Sequence, residues 1–298
     1  MDTSLLILYL IALIALLIAS YTDLKTREVP DWLNYSLIFA GLGLRLVFSL
    51  YYENWWHFLE GIAGLILLVA VGLLMFYTGQ WGGGDSKMLM ALGAVFGMPF
   101  TGWDLQVLMS TPLVSFFVNL LLLGAVYGLM YSLYLALRQR KSFMPALKKG
   151  IAGVKGFHVT VVSLLVLCII AYFMLHDTYI RFITIALLVM MLFTLIIWVF
   201  VRTVEKVCML SLVHPKVLTE GDWVAKEVKY KGKAVAGPKD LGVSKEQIRL
   251  LVKLYKQKKI KKVWLKTGIP FVPSFLAAFI ATVLAGNLLQ YIGNQVIS

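Results

Sequence analysis

The sequence predicts an all-α polytopic membrane protein of about eight transmembrane helices, with a small α+β cytoplasmic insert before the last helix. Of the 298 residues, 60% are hydrophobic and only 14% are charged, far from the balance of a soluble domain. Apolar stretches close to the roughly 20 residues that cross a bilayer recur along the chain. Basic residues gather between alternate stretches, as expected where cytoplasmic loops retain Lys and Arg.

The apolar stretches give the predicted transmembrane helices in order. They are residues 3–22, 32–51, 61–81, 88–103, 111–137, 156–175, 182–201 and 269–291. The first follows Asp2 without a basic segment, which is unlike a cleavable signal peptide, so we expect a retained helix. The fourth contains Gly93, Gly97, Pro99 and Gly102, which predicts a shortened helix and an irregular outer loop covered by protein.

The distribution of basic residues predicts the orientation in the membrane. With the N-terminus outside, all of the 28 Lys and Arg residues except Arg45 and Arg181 fall in inner segments. We therefore expect a multi-pass protein of the cytoplasmic membrane with both termini outside. The net charge of +13 flanks the spans, which favours membrane lipids as partners and argues against nucleic acid.

The chain divides into three predicted parts. Residues 1–201 form a transmembrane core of about seven helices, residues 202–268 form the insert, and residues 269–298 supply a final helix that completes the core. Within the insert, residues 223–230 alternate as a strand does, and residues 232–242 form a loop rich in Gly, Pro and Lys.

A helix and a short strand are expected to complete the insert. Ser244 and Gln247 match a capping box that opens an amphipathic helix through Lys256. Residues 263–265 are predicted to form the last short strand.

Two aspartates stand out because carboxylates in or beside membrane spans are costly. Asp23 lies at the inner end of the first span and Asp85 at the inner start of the fourth, so both are predicted on one membrane face. Activation of water against a peptide bond needs one carboxylate as a base and a second, protonated one as an acid. Gly82, Gly83 and Gly84 would let an extended substrate backbone approach Asp85.

Each aspartate also has a structural interpretation. Asp85 suits the N-terminus of a helix, where a carboxylate caps free N–H groups. Asp23 would lie at a helix C-terminus, where an anion opposes the macrodipole. These positions suggest that Asp85 stays ionised while Asp23 holds the proton.

Two motifs resemble those of the prepilin peptidases and archaeal preflagellin peptidases, membrane aspartic peptidases of the GxGD type. They are DLKTREVPD at residues 23–31 and GGGDSKMLMALGAVFG at residues 82–97. The resemblance covers about the first half of the chain. It implies that Asp23 and Asp85 are the catalytic pair. It also implies removal of the short leader, a class III signal peptide, from type IV prepilin-like or preflagellin (archaellin) precursors at the cytoplasmic membrane face.

The sequence departs from many bacterial members of that family. It lacks their cysteine-rich zinc loop and methylation segment, and residues 202–268 are extra, which points to an archaeal-type enzyme with peptidase activity alone. Cys168 and Cys208 form no CxxC, and no HExxH occurs, so neither a metal nor a cofactor is expected.

Three further residues are candidates for positioning the substrate. Lys87 follows the GxGD-like motif, and Pro270 and Pro273 lie in GIPFVPSFLAAF at the entrance of the last span. Two prolines at a helix start leave backbone groups available to a substrate, and the segment loosely resembles the Pro-containing motif of presenilin-type sites. The alternative is an ordinary proline-marked helix start.

Two other functions remain open at this point. A proton-coupled transporter would use carboxylates near the bilayer midplane, whereas Asp23 and Asp85 lie at span ends. A catalytically inactive assembly or scaffold homologue would use the insert to bind a partner. The sequence determines neither the oligomeric state nor whether the two aspartates are close together.

Overall fold

A computed structural model describes residues 3–100, 104–153 and 156–297. Helices dominate these residues, and the only strands among them are short, which confirms the predicted fold class. The helices are α1 (Thr3–Thr26), α2 (Asp31–Tyr51), α3 (Trp56–Tyr77), α4 (Gly83–Phe96), α5 (Leu105–Ser110), α6 (Pro112–Arg138), α7 (Arg140–Gly153), α8 (Phe157–Met174), α9 (Thr178–Val207), α10 (Lys245–Lys256), α11 (Val272–Ala285) and α12 (Leu288–Ile297). The strands are β1 (Leu210–Val213), β2 (Trp223–Val224), β3 (Val228–Tyr230), β4 (Lys233–Ala236) and β5 (Val263–Lys266).

Five helices of the described chain are long and apolar enough to cross a membrane: α1, α2, α3, α6 and α9. Two bent pairs, α7 with α8 and α11 with α12, raise the number to seven if each pair is one span. The predicted fourth span, 88–103, overlaps α4, which has only 14 residues and begins earlier, at Gly83. Residues 101–103 of that span lie outside the described residues. The prediction that the chain crosses the membrane eight times therefore stays a prediction.

Chain contacts divide the protein into two compact units. The first joins the residues up to Gly128 with those from Val213 onward, and the second comprises Leu129–Leu212. The domain boundaries predicted from the sequence, after residues 201 and 268, stay a prediction.

Helix α4 lies in the core of the first unit, where it contacts α1, α2 and α3. Its close approach to α3 depends on glycine, because a Cβ added at Gly93 would be 2.4 Å from the backbone oxygen of Gly64. Small residues allow such contacts between helices in lipid, where no hydrophobic effect drives the helices together. The GxxxG spacing of Gly93 and Gly97 thus has a packing role.

The C-terminus of α4 is capped by a buried cation. Arg45 of α2, only 4% exposed, donates hydrogen bonds to the carbonyl oxygens of Ala94, Val95 and Phe96 at 2.7–3.0 Å. These carbonyls belong to the last turn of α4, which has no helical partners for them and carries the negative end of the helix dipole. Gly97 follows with φ +67°, and a Cβ there would be 2.6 Å from the guanidinium.

The insert has a small core of its own. Leu251 and Leu254 of α10 pack with Val224, Val243 and Val263, all nearly inaccessible to solvent. The predicted capping box is confirmed, because Ser244 and Gln247 exchange side-chain and backbone hydrogen bonds. Residues 263–265 lie in β5, which pairs antiparallel with β2.

Two predictions within the insert are wrong. The single strand expected at residues 223–230 is broken into β2 and β3, which pair with different partners. Strand β4 lies inside the loop expected at residues 232–242 and forms a hairpin with β3. The hairpin forms because Lys231 and Gly232 both adopt positive φ and reverse the chain, whereas β2 and β3 are separated by a bend at residues 225–226.

The second unit has its core where α7 meets α9. Phe143 of α7 and Phe200 of α9 make an edge contact with ring centroids 5.6 Å apart. Asp177 caps the N-terminus of α9, since its carboxylate accepts a hydrogen bond from the Ile180 N–H at 2.9 Å.

Candidate active site

Asp23 lies in the last turn of α1 and is 5% exposed. Its Oδ2 accepts a hydrogen bond of 2.9 Å from the backbone N–H of Val272, the first residue of α11. The carboxylate at the end of one membrane helix is therefore held at the start of another. The first N–H groups of a helix have no internal partner, so Asp23 satisfies one of them.

This contact overturns the helix-dipole argument for the proton. Asp23 was expected at the C-terminus of its own helix alone, whereas the structure places its carboxylate at the N-terminus of α11. The dipole of α11 favours negative charge at this position. The two aspartates therefore cannot be assigned different protonation states by helix dipoles alone.

Asp85 occupies the third position of α4 and is partly buried. Its Oδ2 accepts a hydrogen bond of 3.2 Å from the N–H of Gly82, the N-cap residue, so Asp85 bonds back to the cap but is not itself the N-cap residue that the structural interpretation expects. Asp23 and Asp85 lie near enough to interact electrostatically. The two carboxyl groups come from separate helices, α1 and α4.

The glycines before Asp85 differ in what surrounds them. Gly82 precedes α4 in an extended conformation, while Gly83 and Gly84 belong to the first turn of the helix. A Cβ added at Gly84 would be 3.2 Å from the Cβ of Val29, in the loop between α1 and α2. A Cβ at Gly83 would meet nothing closer than 3.7 Å. Gly84 therefore allows α4 to approach the segment that follows Asp23.

Lys87 forms an ion pair with Asp31. The Nζ–Oδ1 distance is 2.6 Å, and the ammonium also lies over the ring of Tyr35 at 5.7 Å. The contact connects the first turns of α4 and α2, and so joins the two motifs. It gives Lys87 a structural role beside the proposed one in positioning the substrate.

The two prolines flank the residue that binds Asp23. Pro270 is buried just before α11, and Pro273 is the second residue of that helix, where its missing N–H costs no helical hydrogen bond. Arg27, one helical turn after Asp23, donates to the carbonyl of Gly268. The entrance of the last span is thereby fixed against the end of the first.

An aromatic cluster beside the site was not predicted. Trp81, directly before the three glycines, contacts Phe271 and Phe275 with ring centroids 5.8 and 5.5 Å apart. A Cβ at Gly124 of α6 would be 2.7 Å from the Phe271 ring, so this glycine makes room for it. The sequence could have indicated Trp81 as a residue of the site, because it directly precedes the three glycines. Its aromatic partners could not be read from the sequence, because they are almost 200 residues away.

The acid–base groups that we consider at this site are the carboxyl groups of Asp23 and Asp85. Within residues 3–100, 104–153 and 156–297, no three His, Cys, Asp or Glu side chains come together to hold a metal ion. The expectation of a site without cofactor or metal stays a prediction. Chemically, a pair of carboxyl groups can share a proton and exchange it with a water molecule.

Residues 10–133 match the model of the type IV leader peptidase family. That range includes both aspartates and both motifs. No solved structure matches the chain.

Three curated relatives are preflagellin peptidases of methanogens. The protein from Methanocaldococcus jannaschii is 36% identical over 94 residues, which cover 30% of this chain and 40% of the relative. The protein from Methanococcus voltae is 38% identical over 89 residues, covering 30% and 38%. The protein from Methanococcus maripaludis is 34% identical over 94 residues, covering 30% and 40%.

The matches span about two fifths of the length of these relatives. The resemblance to the prepilin and preflagellin peptidase family is confirmed for this part of the chain, and the relatives agree with an archaeal type.

Proposed function

On the premise of this family match, we propose that the chain is a membrane aspartic endopeptidase that removes the short leader from preflagellin or type IV prepilin-like precursors. Asp23 and Asp85 are the catalytic pair, at the cytoplasmic face. The observation that carries the proposal is that these two carboxyl groups, from α1 and α4, lie within electrostatic range of each other while each is held by a backbone N–H.

The chemistry requires a water molecule between the two side chains. The ionised carboxylate takes a proton from the water, whose oxygen attacks the scissile carbonyl carbon, while the protonated carboxyl gives its proton to the carbonyl oxygen. As the tetrahedral intermediate collapses and its C–N bond breaks, the newly protonated carboxyl gives its proton to the leaving amine, and the other carboxylate takes back the proton of one hydroxyl of the intermediate. The pair then again holds one proton.

The backbone contacts of the site support this mechanism. Val272 N–H and Gly82 N–H each hold one oxygen of a carboxyl group and so fix both side chains before the substrate arrives. Fixed geometry reduces the reorganisation that the reaction would otherwise require. We assign Gly82, Gly83 and Gly84, which add no side chains beside Asp85, together with Lys87, Pro270 and Pro273, to positioning the substrate.

The test is cleavage of a preflagellin-type precursor by purified protein in liposomes. Asp23→Asn and Asp85→Asn each keep an oxygen that accepts the backbone hydrogen bond but cannot serve as acid or base. Each should lower kcat by at least about a thousandfold while the protein stays folded. Asp104→Asn, at an exposed position before α5, is the matched control and should keep wild-type activity.

If either Asp23→Asn or Asp85→Asn folds and still cleaves the precursor, the proposal is wrong. A binding or scaffold role would then be favoured if precursor binding persisted. Proton-coupled transport would be favoured if the liposomes showed a substrate-dependent pH change.

A further inference from the structure

A cavity of about 390 Å³ lies between α7 and α9 of the second unit. Its floor includes Val199 and Thr203, which are buried, and its wall on α7 is formed by small residues. The small residues are Ala146, Gly150 and Gly153. A volume of this size holds a small ligand, so the cavity is large enough for a molecular headgroup.

Three cations surround the cavity. Lys149 comes from α7, and Arg202 and Lys206 come from α9, where a spacing of four residues puts them on the same side of the helix. No Asp or Glu is among the described residues that line the cavity. Like charges four residues apart on a helix repel each other, and an anion bound between them relieves that repulsion.

The position along α9 indicates the depth of the cavity in the membrane. Trp198 also lines it, and the guanidinium of Arg202 lies 4.9 Å from the centre of the Trp198 ring. Tryptophan is enriched where hydrocarbon meets headgroups, and basic residues follow at the cytoplasmic side. The cavity therefore combines a tryptophan ring, a buried floor and a cationic rim.

We propose that this cavity binds the headgroup of an anionic phospholipid. The phosphate contacts Lys149, Arg202 and Lys206, and the glycerol end of an acyl chain lies along the small residues of α7. Basic pockets between membrane helices on the cytoplasmic side bind anionic headgroups by this combination of charge and shape. The cavity is lined by residues of the second unit only, and the binding that we propose involves no peptidase chemistry.

The experiment measures lipid binding to the full-length protein by native mass spectrometry. Phosphatidylglycerol should bind about tenfold or more tightly than phosphatidylcholine. The triple variant Lys149→Gln, Arg202→Gln, Lys206→Gln should lose that preference. The control triple variant Arg138→Gln, Lys141→Gln, Lys148→Gln removes the same charge from residues that do not line the cavity, and should bind within about twofold of the wild type.

A second variant tests the shape of the cavity without changing charge. A Cβ built at Gly153 meets no heavy atom of the described residues within 4 Å, so Gly153→Leu places its side chain in open space beside the cations. This variant should weaken phosphatidylglycerol binding about tenfold and keep the fold, which circular dichroism verifies.

Three results would overturn the proposal. Equal losses in both triple variants would mean diffuse attraction to a basic surface. Unchanged binding by Gly153→Leu would place the lipid elsewhere. Displacement of phosphatidylglycerol by millimolar inorganic phosphate would mean that the site takes a small free anion and no lipid.

Discussion

The carboxylate of Asp23 and the backbone N–H of Val272 are joined by a 2.9 Å hydrogen bond across 249 residues of chain. The first membrane helix and the last therefore meet at the proposed catalytic side chain. Because α11 begins at Val272, any shift of α11 moves the N–H donor that orients Asp23. The insert, which separates α9 from α11 in sequence, leads directly into this contact.

A bell-shaped pH dependence of kcat is the first prediction. If the aspartate pair works with one shared proton, it lacks a base at low pH, where both groups are protonated, and lacks an acid at high pH, where both are ionised. Activity should be measured in liposomes from about pH 4 to pH 9. A profile that stays flat across the acid range would argue against the pair.

Substitution of Gly84 should destabilise the protein more than substitution of Gly83. In Gly84→Ala the new Cβ would be 3.2 Å from the Val29 Cβ and 3.4 Å from its backbone nitrogen, so α4 or the loop must shift. Overpacking of this kind costs about 1–3 kcal/mol. Thermal unfolding in detergent measures the difference. Gly83→Ala, with 3.7 Å to the nearest atom, should unfold at or above the wild-type temperature.

Loss of Arg45 should be strongly destabilising. Arg45→Leu leaves the carbonyls of Ala94, Val95 and Phe96 without their buried donor, which we expect to cost about 3–5 kcal/mol of unfolding free energy. Arg181→Leu is the matched control. Arg181 lies over the ring of Tyr172 and is partly exposed, so its loss should cost about 1 kcal/mol or less. Similar losses in denaturant unfolding would show that capping of α4 contributes little.

Two buried asparagines should respond to leucine in opposite ways. Neither amide atom of Asn34 has a hydrogen-bond partner in the part of the chain that the structure describes, and its side chain is 0% exposed. Asn34→Leu should therefore raise the free energy of unfolding by about 1–2 kcal/mol. Destabilisation would mean that a water molecule holds the amide in the native protein.

Asn119→Leu is the comparison for that experiment. The Asn119 amide donates to Thr282 Oγ1 and the Gly286 carbonyl, at 3.0 and 2.7 Å, and its carbonyl accepts from the Leu288 N–H at the bend between α11 and α12. Its replacement removes these three hydrogen bonds and should cost about 2–4 kcal/mol. The two variants can be compared in one series of thermal unfolding scans.

The sequence by itself determined the membrane class and the two motifs. Composition, the length of apolar stretches and the spacing of charges are local properties, and they decide whether a segment enters lipid. The capping box at Ser244 was likewise readable, because both partners lie within one helical turn. The two aspartates were identified by their positions at span ends.

Only the tertiary structure decided what surrounds those aspartates. The Val272 N–H at Asp23, the Val29 contact of Gly84 and the Arg45 cap of α4 join residues distant in sequence or on different helices. Local sequence patterns predict that Asp23 lies at the C-terminus of α1, and helix packing additionally places its carboxylate at the N-terminus of α11. The physical reason is that a side chain responds to the total field and the hydrogen bonds at its position in space, and helix packing sets both.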